Sequence, residues 1–408
     1  MKKEKFSDKE LLEFAIYHDI VDKNSRIPGV KSNGYPDFDF FRNCSKIKKK
    51  DIESVLNNWF ENSMLNWWEG LGKRISILCS GGVDSSALVA TINNLNIEYD
   101  LIHTLYLNHD NNDINKLKFL ISQIPSKVSI FSIGENEYLH GLKSLVKSNS
   151  LQNTYGPTLM YSLNSFENES GNNIITGSGP DELFYGMEKY SFKYFNSLDE
   201  LNIIKALKLI DNAYNKDSYL SVLNPLGLEL FQSIKEDRLL LYKNISEINN
   251  SIFEAQRILA YLTVTTQHMK MFDDICSINK ASHYAPFIDP ELIRICFSSS
   301  IHDLIELSMG NENVEIGKKH LKKFLSKYLP LSHVESRKIG FHAPTTRFMY
   351  SSYFEKYYSS LSNKKIPSFI DRDKLNKILK IRFLPENRMK IIDYFLFSLF
   401  QIIEHVQE

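Results

Sequence analysis

Seven consecutive residues, Ser80-Gly81-Gly82-Val83-Asp84-Ser85-Ser86, bring together glycines, hydroxyls and one carboxylate. Glycines let a backbone approach an anion closely and take up dihedrals closed to other residues. Between a strand and a helix, the amides of such a run point at the anion, and the helix dipole favours its charge. The hydroxyls of Ser80, Ser85 and Ser86 add donors. Asp84 has no place in phosphate binding itself, because like charges repel. Beside a polyphosphate, its carboxylate makes sense as a Mg2+ ligand. The chemistry these residues point to is therefore the binding of a magnesium-bearing polyphosphate. The run is not the GxxxxGK(S/T) phosphate loop. Its bland alternative is a serine-rich helix start after a buried strand, where one acid in the first turn is ordinary.

The flanking segments supply the strand and the helix. Ile75 to Cys79 is a short, nearly continuous apolar run, the pattern of a buried parallel strand. Asp84 to Leu95 follows as a helix. Leu101 to Leu107, Val128 to Ile133 and Asn173 to Thr176 are three further strand candidates, separated by helical segments. Alternation of this kind predicts an α/β fold with a parallel sheet covered by helices on both faces. Ligands bind such sheets at the carboxyl ends of the strands. Cys79 closes an apolar run and reads as core rather than as a nucleophile.

Three regions follow. Residues 1–70 read as a helical and loop-rich extension, with helices expected over Phe6 to Ile20 and Asp51 to Trp68. Residues 71–196 read as the polyphosphate-binding α/β domain. Residues 197–408 read as mostly helical, with periodic segments at Asp199 to Ala213, Phe253 to Met271 and Ile316 to Tyr328. The length of 408 residues fits two or three domains.

Lysine plus arginine equals aspartate plus glutamate, 49 each, so no global charge argues for nucleic acid. Lys46 to Lys50 reads as a solvated basic run. Cys44, Cys79, Cys276 and Cys296 lie far apart, without zinc spacing, and fit a reducing cytoplasm. No apolar segment follows the basic N-terminus, so no secretory signal is read there. The longest apolar run, Tyr394 to Ile403, is about half a membrane span and reads as a buried helix. Neither nucleic acid nor membrane is an expected partner.

The glycine run resembles the PP-loop, SGGxDS, of the ATP pyrophosphatases, which cleave ATP between its α and β phosphates. Three further segments narrow the resemblance. Thr176-Gly177-Ser178-Gly179-Pro180-Asp181-Glu182-Leu183-Phe184 is similar to the SGxGxDELF of asparagine synthetases. Pro286-Phe287-Ile288-Asp289-Pro290-Glu291-Leu292 is similar to their PFLDxxL, and Lys338-Ile339-Gly340-Phe341-His342-Ala343-Pro344 to their KxGFxxP. In order and approximate spacing, the chain from about residue 50 to residue 350 resembles the synthetase domain of the asparagine synthetase and β-lactam synthetase superfamily.

That resemblance implies a parallel-sheet PP-loop domain with helical additions, using ATP and Mg2+. It implies that Asp84 and Asp181 share the metal, and two carboxylates at the mouths of two parallel strands suit a hard cation bridging phosphates. It gives Lys338 a catalytic role, stabilising charge on pyrophosphate and on the tetrahedral adduct. Ser80, Gly81, Gly82, Asp84, Ser85, Ser86, Gly177 and Gly179 would line the nucleotide, with adenine against the backbone near Leu105. Glu182 reads as support for the site. Asp289 reads as a carboxylate closing a turn.

Three departures bear on substrate. Relatives that use glutamine begin with an N-terminal glutaminase whose first mature residue is cysteine. Here Lys2 follows Met1, and about seventy residues precede the loop's strand, too few for such a domain. Ser178 occupies the position of a glutamate in asparagine synthetases and a tyrosine in β-lactam-forming relatives. Ser282 and Tyr284 occupy the places of a glutamate and an arginine before PFLD, with His283 between them. An isolated histidine beside a buried turn reads as structural, with replacement base as its alternative.

The function expected is an ATP-dependent, AMP-forming amide ligase joining a small-molecule carboxylic acid to an amine or ammonia. A separate glutaminase or a carrier protein would be its partner, and family analogy allows a homodimer. The alternatives are a PP-loop sulfur or nitrogen transferase acting on a nucleobase or tRNA, and a degenerate nucleotide-binding partner subunit.

Overall fold

A computed structural model describes residues 6–17, 38–44, 52–63, 68, 75–107, 113–166, 173–186, 202–212, 217–248, 251–299, 301–304, 306–307, 315–335, 344–360, 364–382 and 390–407. The apolar run after residue 74 forms β1 (Ile75–Leu78), in which Ile75, Ser76 and Ile77 are buried. Burial on both faces is what a central parallel strand requires. Around it lie β2 (Tyr99–Tyr106), β3 (Lys127–Ile133), β4 (Asn173–Ile175) and β5 (Ser282–Tyr284), in the order β3-β2-β1-β4-β5. All four pairings are parallel, with Ile75 opposite both Tyr99 and Asn173, and Ile175 opposite Tyr284. The strand order reverses between β1 and β4, and such a switch point opens a crevice at the carboxyl ends of the strands.

The N-terminal helix is α1 (Asp8–Tyr17), and the helices that bear on the site are α2 (Val83–Asn94), α3 (Asp113–Gln123), α4 (Pro180–Leu183), α5 (Ile252–Ala260), α6 (Thr266–Ile278), α7 (Pro290–Phe297) and α8 (Lys319–Leu325). Residues Ser85 to Ile92 of α2 are all buried, so this helix is enclosed on every side. A π-helical turn, Tyr261–Thr265, joins α5 to α6. Such insertions shift the helix face by one residue and concentrate near functional sites.

The four strands and the α2 helix expected from the sequence are present, with ends shifted by a residue or two. The fifth strand is a correction. The sequence marks residues 282–284 only as substrate contacts next to the PFID turn, within a helical region. They add an edge strand, because the Thr176 N–H and the β4 backbone find carbonyl and amide partners there. The sheet therefore recruits chain from beyond residue 197. The largest apolar cluster does the same: it joins Ile75, Ile77 and Leu88 to Tyr261, Phe287, Phe297 and Phe324. Phe60 from the N-terminal region stacks on Phe324 at 4.1 Å. Helix α1 is fixed by the buried Arg238, which pairs with Asp211 at 2.9 Å, faces Glu13 at 3.4 Å and lies over the Tyr17 ring. The expected helix at Tyr394 to Ile403 forms within Lys390–Gln407. Among the described residues, no helix is long and apolar enough to cross a membrane.

Candidate active site at the mouths of strands β1 and β4

The loop Ser80–Gly82 leaves β1 and enters α2 with Gly82 as its cap residue. Gly81 is held at φ 80°, and a Cβ there would meet the Leu117 nitrogen of α3 at 2.5 Å. Only glycine satisfies both demands, so α3 can pack directly on the loop. The loop is braced from within. The Ser85 hydroxyl donates to the Gly82 carbonyl at 3.2 Å, and the Ser86 hydroxyl to the Gly81 carbonyl at 3.2 Å. The Ser80 hydroxyl accepts from the Gly82 amide at 3.2 Å. Ser85 and Ser86, expected as phosphate donors, thus direct their protons to loop carbonyls. The first-turn amides of α2 have no intrahelical partner by construction, and these face the end of the loop.

Burial pushes the Cys79 thiol up to about 11, and its sulfur lies 3.7 Å from the Ser85 hydroxyl. It is a core residue, as its place in an apolar run predicts. His103 on β2 donates from Nδ1 to the Cys79 carbonyl at 2.8 Å. Its Nε2 is buried without a partner among the described residues, and burial pushes its pKa down.

At the end of β4, Gly177 comes so close to α2 that a side chain there would meet the Asp84 Cβ at 3.2 Å. Gly179, at φ 107°, then turns the chain into α4, which carries Asp181 and Glu182. Buried Arg257 of α5 fixes this short helix. Its guanidinium donates to the carbonyls of Glu182 at 3.1 Å, Leu183 at 2.7 Å and Cys296 at 3.2 Å, and pairs with Glu254 at 2.8 Å.

Asp84 and Asp181 converge, as two neighbouring strand mouths should make them. Between them lies a side chain that sequence reasoning misses. The Lys318 ammonium is 2.6 Å from Asp84 Oδ2, 2.7 Å from Asp84 Oδ1 and 2.6 Å from Asp181 Oδ1. Burial alone pushes Lys318 down, but the charges of Asp181 and Asp84 outweigh it and raise its pKa. Two hard oxygen donors around one cation suit Mg2+, which keeps several waters and takes its remaining ligands from phosphates. Among the described residues, no cluster of three or more His, Cys, Asp or Glu side chains stands ready for a metal. Glu182 is buried beside Asp181. Burial first, and the Asp181 charge second, push its carboxyl up to about 8.

A second polar chain occupies the mouths of β4 and β5. The His283 side chain is fully buried and stacks on Phe272 at 5.1 Å. Its Nδ1 donates to Asp273 Oδ1 at 2.7 Å, and its Nε2 lies 2.9 Å from the Thr176 hydroxyl. Thr176 Oγ1 is in turn 3.2 Å from Ser178 Oγ, which is partly exposed in the crevice. His283 is therefore not the isolated histidine its sequence context implies. Tyr284 is half-buried against the main core, Ser282 is exposed, and Leu105 is half-buried near the end of β2. Asp289 caps α7, accepting from the amides of Glu291 and Leu292 at 3.0 Å, as a turn-closing acid should.

Lys338 lies outside the described residues. The chain leading toward it touches the loop: His333 Nε2 is 3.3 Å from the Ser86 hydroxyl, and its ring stacks on Phe119 at 5.1 Å. Neither His333 nor Lys318 carries a local sequence signal. Gly317-Lys318 follows a two-residue strand pairing (Glu306–Leu307 with Glu315–Ile316) too short to leave a pattern.

Two comparisons agree with this geometry. Residues 72–390 match the family model described as asparagine synthase. A Methanocaldococcus jannaschii protein provisionally named a glutamine-hydrolyzing asparagine synthetase is 27% identical over 235 residues, covering 52% of this chain and 42% of that protein. The chain thus spans less than half the length of this relative, while the family model takes in the loop, both acids, Lys318 and the His283 chain. By that match the chain belongs to the asparagine synthase family.

Proposed function

We propose that this chain is an ATP-dependent, AMP-forming carbon–nitrogen ligase, which adenylates a small carboxylic acid and hands the acyl group to an amine or ammonia. One observation carries the reading. Asp84 of the Ser80–Ser86 loop and Asp181 from the adjacent strand mouth converge on one positive charge, the Lys318 ammonium, at 2.6 Å each.

In this reading the amides of the first turn of α2 hold the triphosphate, with Ser80 and the glycine backbone of the loop beside them. Gly177 and Gly179 let the β4 loop approach it, and adenine lies along the backbone near Leu105. Asp84 and Asp181 are the residues that would hold Mg2+, which when bound would supply positive charge beside the phosphates. The substrate carboxylate attacks the α phosphorus, and the bond to the bridging oxygen of pyrophosphate breaks. Lys318, and Lys338 by resemblance, supply positive charge where the leaving group gathers negative charge. The amine nitrogen then attacks the acyl carbon, and the carbon–oxygen bond to AMP breaks.

The attacking amine must lose a proton. Serine alone is a poor base at neutral pH, but Ser178 is linked through Thr176 to His283, whose tautomer Asp273 fixes. That chain can carry the proton away from the reacting centre. Four free thiols, all buried, accord with a reducing cytoplasmic setting.

Pyrophosphate release measured across a panel of amino acids and sugar acids, with ammonia or hydroxylamine as acceptor, tests the reading. Acid-dependent release that Asp84→Asn abolishes is the expected result. Release unchanged in Asp84→Asn would remove the metal assignment.

A further inference from the structure

The lysine between the two acids is more elaborately placed than an ion pair needs. Lys318 is only 4% exposed, and its backbone sits in the left-handed region at φ 61°, ψ 31°. A non-glycine residue holds that conformation only where its surroundings impose it. Here they do. The Lys318 amide donates to the Phe184 carbonyl at 2.7 Å, tying the start of α8 to the end of α4. The lysine stem then runs over Gly186. A Cβ at that glycine would lie 1.9 Å from Lys318 Cε and 2.4 Å from Asp181 Oδ1, so no other residue could leave this passage open. The ammonium arrives where both Asp84 oxygens and one Asp181 oxygen can accept from it.

The two carboxylates repel each other unless a cation lies between them. In the structure that cation is the Lys318 ammonium. We propose that Lys318 occupies the metal seat of the nucleotide-free protein as an internal cation, so that the divalent ion enters together with ATP rather than before it. This rests on the reading of Asp84 and Asp181 as metal ligands.

The charge balance explains the coupling. A divalent ion arriving alone must displace an ammonium from both acids and shed part of a tightly held hydration shell. The displaced ammonium would be left buried without an anion, which is strongly unfavourable. A triphosphate arriving with the ion changes this. It brings oxygen ligands to the metal and anionic partners to the released ammonium, so the exchange conserves charge pairing throughout. The acids are never left unpaired, and the seat does not fill with free metal.

Manganese binding followed by electron paramagnetic resonance, with and without α,β-methylene-ATP, tests the inference on the full chain. Without nucleotide, Lys318→Met is expected to bind Mn2+ at least about tenfold more tightly than the natural protein, a gain of about 1.4 kcal/mol. Lys318→Arg, which keeps the charge, is expected to show no such gain. Adding Asp84→Asn to Lys318→Met is expected to abolish it. Should Lys318→Met fail to fold by circular dichroism, Lys318→Gln carries the same prediction. Equal Mn2+ affinity in the neutral variant and the natural protein would overturn the proposal. If Asp84→Asn still removed Mn2+ binding in the presence of the analogue, the metal reading would survive that failure. Binding indifferent to Asp84→Asn in every background would overturn both.

Discussion

The crevice has two halves, built in different ways on one sheet. At the mouth of β1, one uninterrupted heptapeptide makes the cradle and braces itself: Ser80, Ser85 and Ser86 all bond within the loop. At the mouths of β4 and β5, a hydrogen-bonded chain is assembled from Thr176 and Ser178, from His283 more than a hundred residues on, and from Asp273 on α6. The first half depends on backbone and glycine and tolerates little change. The second depends on side chains from separate elements, each replaceable without moving the loop. In the proposed reading, such a division lets the triphosphate chemistry stay fixed while the acceptor chemistry is rebuilt.

The sharpest break between the halves comes from charge. Asp84→Asn and Asp181→Asn are expected to lower acid-dependent pyrophosphate release by about 10³-fold, the scale of removing a preorganised electrostatic contact from a transition state. His283→Gln is expected to leave ATP–pyrophosphate exchange within a few-fold of the natural rate, while amide formation falls by about 10²-fold, as for loss of general-base assistance. Equal loss of both activities in His283→Gln would merge the two halves into one. The support beneath them is shared. Arg257→Met strands Glu254 and several carbonyls in the core, and is expected to cost about 3–5 kcal/mol in urea unfolding.

These halves also differ in how well they can be read from sequence. The loop is legible because its residues are consecutive and lie between an apolar strand and a helix. Asp181 and Asp289 are legible for the same reason, each sitting in a short motif at a turn. The Ser178–Thr176–His283–Asp273 chain is not. β5 has three residues, too few for a period, and its pairing partner is defined only once β4 is in place. Lys318 is invisible for a different reason. It meets Asp84 across 234 residues and is one lysine among several in its segment, with nothing local to mark it. Likewise, the π turn at Tyr261–Thr265 hides inside a segment whose helical periodicity looks continuous.

A smaller effect probes the floor beneath the Ser80–Ser86 loop. His103 is buried against the Cys79 carbonyl, and burial holds its pKa below the ordinary value of 6.5. The unfolded chain therefore takes up that proton first as pH falls. This contribution to stability is retained above about pH 6.5 and is lost progressively below it. His103→Asn, which keeps a donor for Cys79, is expected to flatten the pH dependence of urea unfolding between about pH 7 and pH 5. An unchanged slope would place the acid sensitivity elsewhere.

The most direct measurement is a crystal structure of the full chain soaked with α,β-methylene-ATP and magnesium. Phosphate density is expected on the amides after Ser80, and one ion within ligand distance of both Asp84 and Asp181, with the Lys318 ammonium moved off the acids toward phosphate oxygen. An empty loop, or an ion touching neither carboxylate, would contradict that expectation.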